Sequence, residues 1–172
     1  MSQTTQTGVL SGPGDFDLSS TTVLLVDDNE QNLELMQAYL ESLPCTILVA
    51  RDGMEAVRLI DENAVDLVLL DVMMPRMSGF EVCQKIKSSP ATRDIQVIMV
   101  TALHEVGDVE RAVEVGTDGF VTKPVNKLEL LTHVRSLLQL RLLKRQLAAM
   151  ESLHGRIGPD LIGRLEAGEK LE

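Results

Sequence analysis

Leu67-Val68-Leu69-Leu70-Asp71-Val72-Met73-Met74-Pro75-Arg76-Met77-Ser78-Gly79 is an apolar run that stops at one carboxylate and then turns through proline, serine and glycine. A continuous Val/Leu run bounded by turn residues predicts a strand covered on both faces, the kind that parallel sheets contain. In open parallel sheets the ligand crevice lies beyond the carboxyl ends of the strands, and Asp71 falls there. A single acid after a strand more often shapes the turn that follows it. Asp71 stands out because other strands in the chain end in acids, a hydroxyl and a lysine.

Working outward, Val23 to Val26 is a short apolar strand that ends in Asp27-Asp28-Asn29-Glu30, and Leu33, Met36, Leu40 and Leu43 then recur at helical spacing until Pro44. Thr46 to Ala50 is a β-branched strand, and Ala56, Val57, Leu59 and Ile60 form the apolar face of a second helix. On the other side of the quoted stretch, Phe80, Val82, Cys83 and Ile86 predict a helix closed by Ser88-Ser89-Pro90. Ile95 to Val100 is a fourth strand ending at Thr101-Ala102. Val109, Ala112, Val113 and Val115 make a helix that stops at Gly116, and Gly119 to Thr122 is a fifth strand closing on Lys123-Pro124. Five strands alternating with helices predict an α/β fold with a doubly wound five-stranded parallel sheet. The expected strand order is the flavodoxin-like 2-1-3-4-5.

The ends of the chain read differently. Residues 1–20, rich in Ser, Thr, Gly and Gln, are expected to be a flexible tail because they can bury too little surface to offset their ordering entropy. Asn126-Lys127-Leu128-Glu129 is a helix-start signature, and no Gly or Pro follows until Gly155, so a helix of about 28 residues is expected, roughly 40 Å long. In it Leu131, Val134 and Leu138 make one apolar row, expected on the sheet. Leu140, Leu143, Leu147 and Met150 make a second at 3-4-3 spacing, which fits a coiled-coil seam or a solvated helix with scattered leucines. The expected division is a tail over 1–20, a domain over 21–140 and a helical extension over 141–172.

Composition narrows the function. Of 172 residues, 44% are apolar but only 2% aromatic, so Leu, Val, Ile and Met must fill a layered core. A formal charge of −10 argues against a nucleic-acid or anionic-membrane surface. Cys45 and Cys83 have no paired spacing, and no stretch has the apolar length of a membrane span, so a reducing cytoplasm is the expected compartment.

Collected at the strand ends are Asp27 and Asp28 after the first, Asp71 after the third, Thr101 after the fourth and Lys123 after the fifth. In order 2-1-3-4-5 the first and third strands are neighbours, and the three carboxylates converge at the topological switch point. Three acids so close need a cation or a proton. Mg²⁺ suits them, since it prefers oxygen ligands and keeps positions open for water and phosphate. Lys123 adds a positive charge and Thr101 a hydroxyl, a set that suits a carboxylate nucleophile accepting a phosphoryl group. Singly each residue has a plainer reading: Asp27 and Asp28 could favour a helix start, Thr101 could be an ordinary strand residue and Lys123 a surface lysine. Jointly, at consecutive strand ends, these readings give way to a site.

On these motifs residues 22–140 resemble a receiver domain of the response regulators of two-component signalling. Asp27-Asp28 match the acidic pair, Leu69 to Pro75 with Met77-Ser78-Gly79 the phosphorylation loop, Thr101-Ala102 the hydroxyl position and Lys123-Pro124 the lysine. The resemblance implies that Asp71 takes a phosphoryl group from a sensor histidine kinase or phosphotransfer protein. It implies that Asp28, Asp71 and the Met73 backbone carbonyl hold Mg²⁺, with Asp27 supporting or acting through a water. It implies that Lys123 and Thr101 hold the phosphate and that the peptide before Pro124 is cis. Phe120 sits where the family keeps its aromatic switch, so phosphate would draw Thr101 inward and let Phe120 turn, repacking the surface of the fourth helix, fifth strand and fifth helix. Phe lacks the hydroxyl of the Tyr found in many relatives. Met73 and Leu103 occupy positions at which the family varies. Neither can orient an attacking water, so a long-lived phosphoryl-aspartate is expected; His104 beside them is read as incidental.

The expected output is a downstream protein or an output domain outside this chain, with a homodimer through residues 127–154 as a further expectation. The chain is not expected to be an enzyme beyond self-catalysed phosphotransfer and dephosphorylation. A phosphohydrolase of the haloacid-dehalogenase type wants a second acid two residues after the nucleophile, where Met73 stands. A flavin module would need a phosphate loop where Asp27-Asp28 would repel the phosphate. A phosphate-independent interaction scaffold is the remaining alternative.

Overall fold

A computed structural model describes residues 16–102 and 106–156, with no side-chain detail for residues 106–108 and 154–156. Five parallel strands alternate with five helices: β1 (Thr22–Val26), α1 (Glu30–Leu40), β2 (Thr46–Ala50), α2 (Gly53–Glu62), β3 (Leu67–Asp71), α3 (Gly79–Ser88), β4 (Gln96–Thr101), α4 (Val106–Glu114), β5 (Gly119–Thr122) and α5 (Lys127–Arg156). The sheet order is β2-β1-β3-β4-β5, as the alternation predicts. Chain reversal between β1 and β3 is what opens a crevice above them.

β3 is buried along its whole length, and β4 likewise, because helices cover both faces. Alternation along β3 sends Val68 and Leu70 into one core with α2 and α3, and Leu67 and Leu69 into the other with α1 and α5. That two-sided burial is the reason the run shows no polar alternation. β2 is an edge strand with only Ala50 fully covered.

The helices start on side-chain caps. Asn29 accepts from the N–H groups of Gln31 and Asn32, Asp52 from Glu55 and Ser78 from Glu81. Asn126 accepts from the Glu129 N–H at 3.1 Å, the forward half of the expected capping box.

Two expectations need correction. Order begins before residue 21: Leu18–Ser20 form a 3₁₀ turn, Leu18 is buried and Phe16 packs against the same core, so the last part of the expected tail belongs to the domain. The covered row of α5 is Leu130, Val134 and Leu138, with Leu131 at its half-buried margin. Helical geometry places residues 130, 134 and 138 one above another, and the sequence offered two adjacent leucines for the first place. α5 is 30 residues long, about 45 Å at 1.5 Å per residue, and runs through Gly155. Among the described residues no helix is long and apolar enough to cross a membrane.

Candidate phosphoacceptor and metal site

The site is assembled at the carboxyl ends of β1, β3, β4 and β5. Parallel register pairs Val26 with Leu70, so Asp27 and Asp71, the next residues on each strand, stand side by side. Asp27 is fully buried. Its Oδ1 accepts from the Asn29 N–H at 2.9 Å and its Oδ2 from the Lys123 ammonium at 3.1 Å. Asn29 caps α1, so neither aspartate is consumed as the helix cap. Asp28 is exposed at the rim. One oxygen from each of Asp27, Asp28 and Asp71 lies within 4.8 Å of the others.

Asp71 ends β3 and is 5% exposed. Its Oδ1 lies 3.4 Å from Lys123 Nζ, and its carboxylate also accepts from the Met73 N–H. Burial, then the charge of Asp27, push its carboxyl up to about 6; Lys123 and the Met73 N–H act in the opposite sense without cancelling them. A hard, all-oxygen cluster carrying more negative than positive charge fits a small divalent cation such as Mg²⁺, and among the described residues it contains no sulfur or nitrogen donor that would favour a softer metal.

The loop after Asp71 is held tightly. Met74 and Gly79 both donate to the Val72 carbonyl, at 3.2 and 3.0 Å, and Arg76 takes a left-handed conformation with φ of 70°. A Cβ on Gly79 would run into the Asp71 carbonyl oxygen, so glycine there is what lets the first turn of α3 lie against the end of β3.

On the opposite side, Thr101 ends β4 and is fully buried. Its carbonyl accepts from the Lys123 N–H at 2.8 Å, and the Lys123–Pro124 peptide is cis. The hydrogen bond to Thr101 holds the root of the lysine that reaches Asp27 and Asp71. Phe120 is half-buried against the α2/α3 core, paired across the sheet with Met99. Met73 is 68% exposed at the rim. Leu103 and His104 lie outside the described residues.

The structure therefore brings together Asp27, Asp28, Asp71 and Lys123, with Thr101 at the neighbouring strand end and Phe120 farther along β5. Sequence reasoning missed Asn29 as a partner of Asp27; its only signal was its place in the acidic turn. It also missed a cavity of about 200 Å³ beside the site, bounded by Asp27, Lys123, Asn32, Leu35 and Tyr39.

Comparison with known proteins agrees with this geometry. The sequence profile described as "Response regulator receiver domain" matches residues 23–135. Response regulator PleD of Caulobacter vibrioides is 40% identical over 139 residues, covering 81% of this chain and 31% of PleD. Heme response regulator HssR of Staphylococcus saprophyticus is 38% identical over 119 residues, 69% of this chain and 52% of HssR. The chain thus spans about a third to a half of the length of these relatives. Among solved structures, the signal receiver domain of a signal transduction histidine kinase from Syntrophus aciditrophicus aligns with a TM-score of 0.66 at 37% identity, covering 70% of this chain and 91% of that one. With the strand order, the acidic cluster and these matches in agreement, the chain belongs to the response regulator receiver domain family of two-component systems.

Proposed function

We propose that this receiver is a phosphoacceptor switch in which Asp71 takes a phosphoryl group from a phosphohistidine on a sensor histidine kinase or a phosphotransfer protein. The observation that carries the reading is the cluster of three carboxylates, with oxygens within 4.8 Å, beside one lysine ammonium at the switch point of the sheet. An Asp71 carboxylate oxygen attacks phosphorus as the P–N bond to the donor imidazole breaks. The electron pair stays on the imidazole nitrogen, which then takes up a proton. Asp28, Asp71 and the Met73 carbonyl would hold Mg²⁺, with Asp27 supporting them or acting through a water. Bound there, Mg²⁺ neutralises negative charge on the phosphoryl oxygens. Lys123, already against Asp71, offsets part of that charge, and the Thr101 hydroxyl would donate to a phosphoryl oxygen.

Drawing Thr101 toward the phosphate would free space for Phe120 and repack the face formed by α4, β5 and α5. That face would then control a downstream protein or an output domain. Half-burial of Phe120 supports the reading, because its ring has both a core to enter and solvent to leave. The thioether of Met73, exposed at the rim, cannot orient an attacking water, so the phosphoryl-aspartate is expected to outlast a half-life of seconds. Its catalysis would be this self-phosphorylation and the hydrolysis of the phosphoryl-aspartate, in which water releases inorganic phosphate and restores the carboxylate, and the expected setting is the cytoplasm.

The test is intact mass after incubation with Mg²⁺ and acetyl phosphate. One phosphoryl addition is expected, dependent on Mg²⁺ and lost in Asp71→Asn. Absence of addition both from acetyl phosphate and from a phosphohistidine donor would favour a phosphate-independent scaffold.

A further inference from the structure

The cavity of about 200 Å³ beside the phosphoacceptor lies between α1 and the loop that leads from β5 into α5. Leu35, Met36, Tyr39 and Val125 give it walls that are mostly apolar, and Asp27 and Lys123 stand where it meets the site. Three polar groups on its lining have hydrogen-bonding capacity to spare. Lys123 has three N–H donors and faces two carboxylates, Asp27 at 3.1 Å and Asp71 at 3.4 Å, which leaves one donor over. The side-chain amide of Asn32 and the hydroxyl of Tyr39 have no partner among the described residues.

We propose that this cavity is a binding site for a small neutral aromatic molecule with one oxygen head group, of the phenol class. Size sets the first limit. An apolar cavity of about 150 Å³ takes up benzene, so a space of about 200 Å³ holds one ring with a short substituent. The walls favour a ring over a chain, because the Met36 thioether and the Tyr39 ring both make attractive contacts with aromatic faces and edges. Charge sets the second limit. An anion would meet the buried carboxylates of Asp27 and Asp71, and a cation would be brought against Lys123 after losing its water. A neutral hydroxyl meets neither objection: its oxygen accepts from Lys123 or Asn32, and its O–H donates to Asp27 or Tyr39. An occupant held this way takes the one spare donor of Lys123, the group against Asp71, and so competes with a phosphoryl group for it. That last consequence rests on the phosphoacceptor reading; binding itself does not.

The test is proton NMR of the full chain with phenol and with benzene as probes, reading saturation transfer to the probe and the ring signals of Tyr39, the single tyrosine of the chain. Phenol is expected to bind with a dissociation constant below about 1 mM, severalfold tighter than benzene, and to shift the Tyr39 signals. Leu35→Trp, at a position 43% exposed, is expected to fill the cavity from α1 and abolish both effects. Val125→Phe fills it from the opposite loop and repeats the block independently. Saturating phenol is also expected to slow phosphorylation by acetyl phosphate severalfold. Absence of transfer to either probe would overturn the proposal, leaving the cavity as a surface for a phosphodonor protein. So would benzene binding as tightly as phenol, or phenol binding undiminished in both filled variants, which would mark adsorption elsewhere. An unchanged phosphorylation rate with phenol bound would overturn the claim on Lys123, whereas a chain that takes up no phosphate at all bears on Asp71 and leaves the binding result standing.

Discussion

Burial pushes the Asp71 carboxyl up to about 6, and the neighbouring charge of Asp27 acts in the same direction. The folded protein therefore binds this proton more tightly than the unfolded chain does. Without metal, stability contributed by Asp71 is greatest below its unfolded value near 4, falls as pH rises between about 4 and 6, and is fully lost above that. The loss is on the order of 1–3 kcal/mol. In a chelator at pH 7, Asp71→Asn is expected to melt several degrees above wild type, with the gap closing toward pH 4. Thermal melts across that range check it, and a variant that melts lower at pH 7 would contradict the assignment of burial as the dominant cause. At this scale the sequence was most legible where a strand stopped at a charged or hydroxyl residue, as at Asp71, Thr101 and Lys123. It was least legible where partners come from afar. The join of Asp66 to Arg141 and Arg145 spans more than seventy residues, and Gln96, the polar residue that opens the apolar run of β4, gives no sign in the sequence that it is fully buried.

The elements that position the site are the turn from β3 into α3 and the long helix α5. Gly79 is required by close approach to Asp71 and Val72. Gly79→Ala is expected to cost about 1–3 kcal/mol, as forced overpacking does, and to slow phosphorylation by displacing the end of β3. Urea midpoints and phosphorylation rates of the same variant check both. Asp66 accepts from the Thr22 N–H at 2.9 Å as well as from the two arginines, so it ties β1, β3 and α5 at the end of the sheet remote from Asp71. Asp66→Ala leaves those donors unpaired and is expected to cost about 1–3 kcal/mol. Amide exchange should rise most around residues 139–150 while the β3 core stays protected; uniform acceleration would mean that the contact merely adds global stability. Strand and helix order followed from apolar periodicity and turn residues alone. The placing of the first leucine of the α5 row did not, because Leu130 and Leu131 are equivalent in composition and only packing on β4 and β5 separates them.

Taken as a whole, the molecule gathers its few site residues at one edge of a core whose two halves are sewn together by β3. Metal binding at the acidic cluster would contribute to stability, because a cation that binds only the folded state stabilises it by about 2.7 kcal/mol at a hundredfold excess over its dissociation constant. Mg²⁺ is expected to raise the melting temperature in a concentration-dependent way. Asp28→Asn, at an exposed position, should blunt that gain while leaving the metal-free melt near wild type. In the proposed switch Asp71, and neither of the aspartates beside it, carries the phosphoryl group. Borohydride reduces an acyl phosphate to an alcohol and so converts the phosphorylated aspartate to homoserine, which peptide mass mapping locates. After Mg²⁺-dependent phosphorylation homoserine is expected at position 71. Homoserine at 27 or 28, or recovery of an unmodified peptide spanning Leu67 to Gly79 from protein whose intact mass shows the addition, would contradict it.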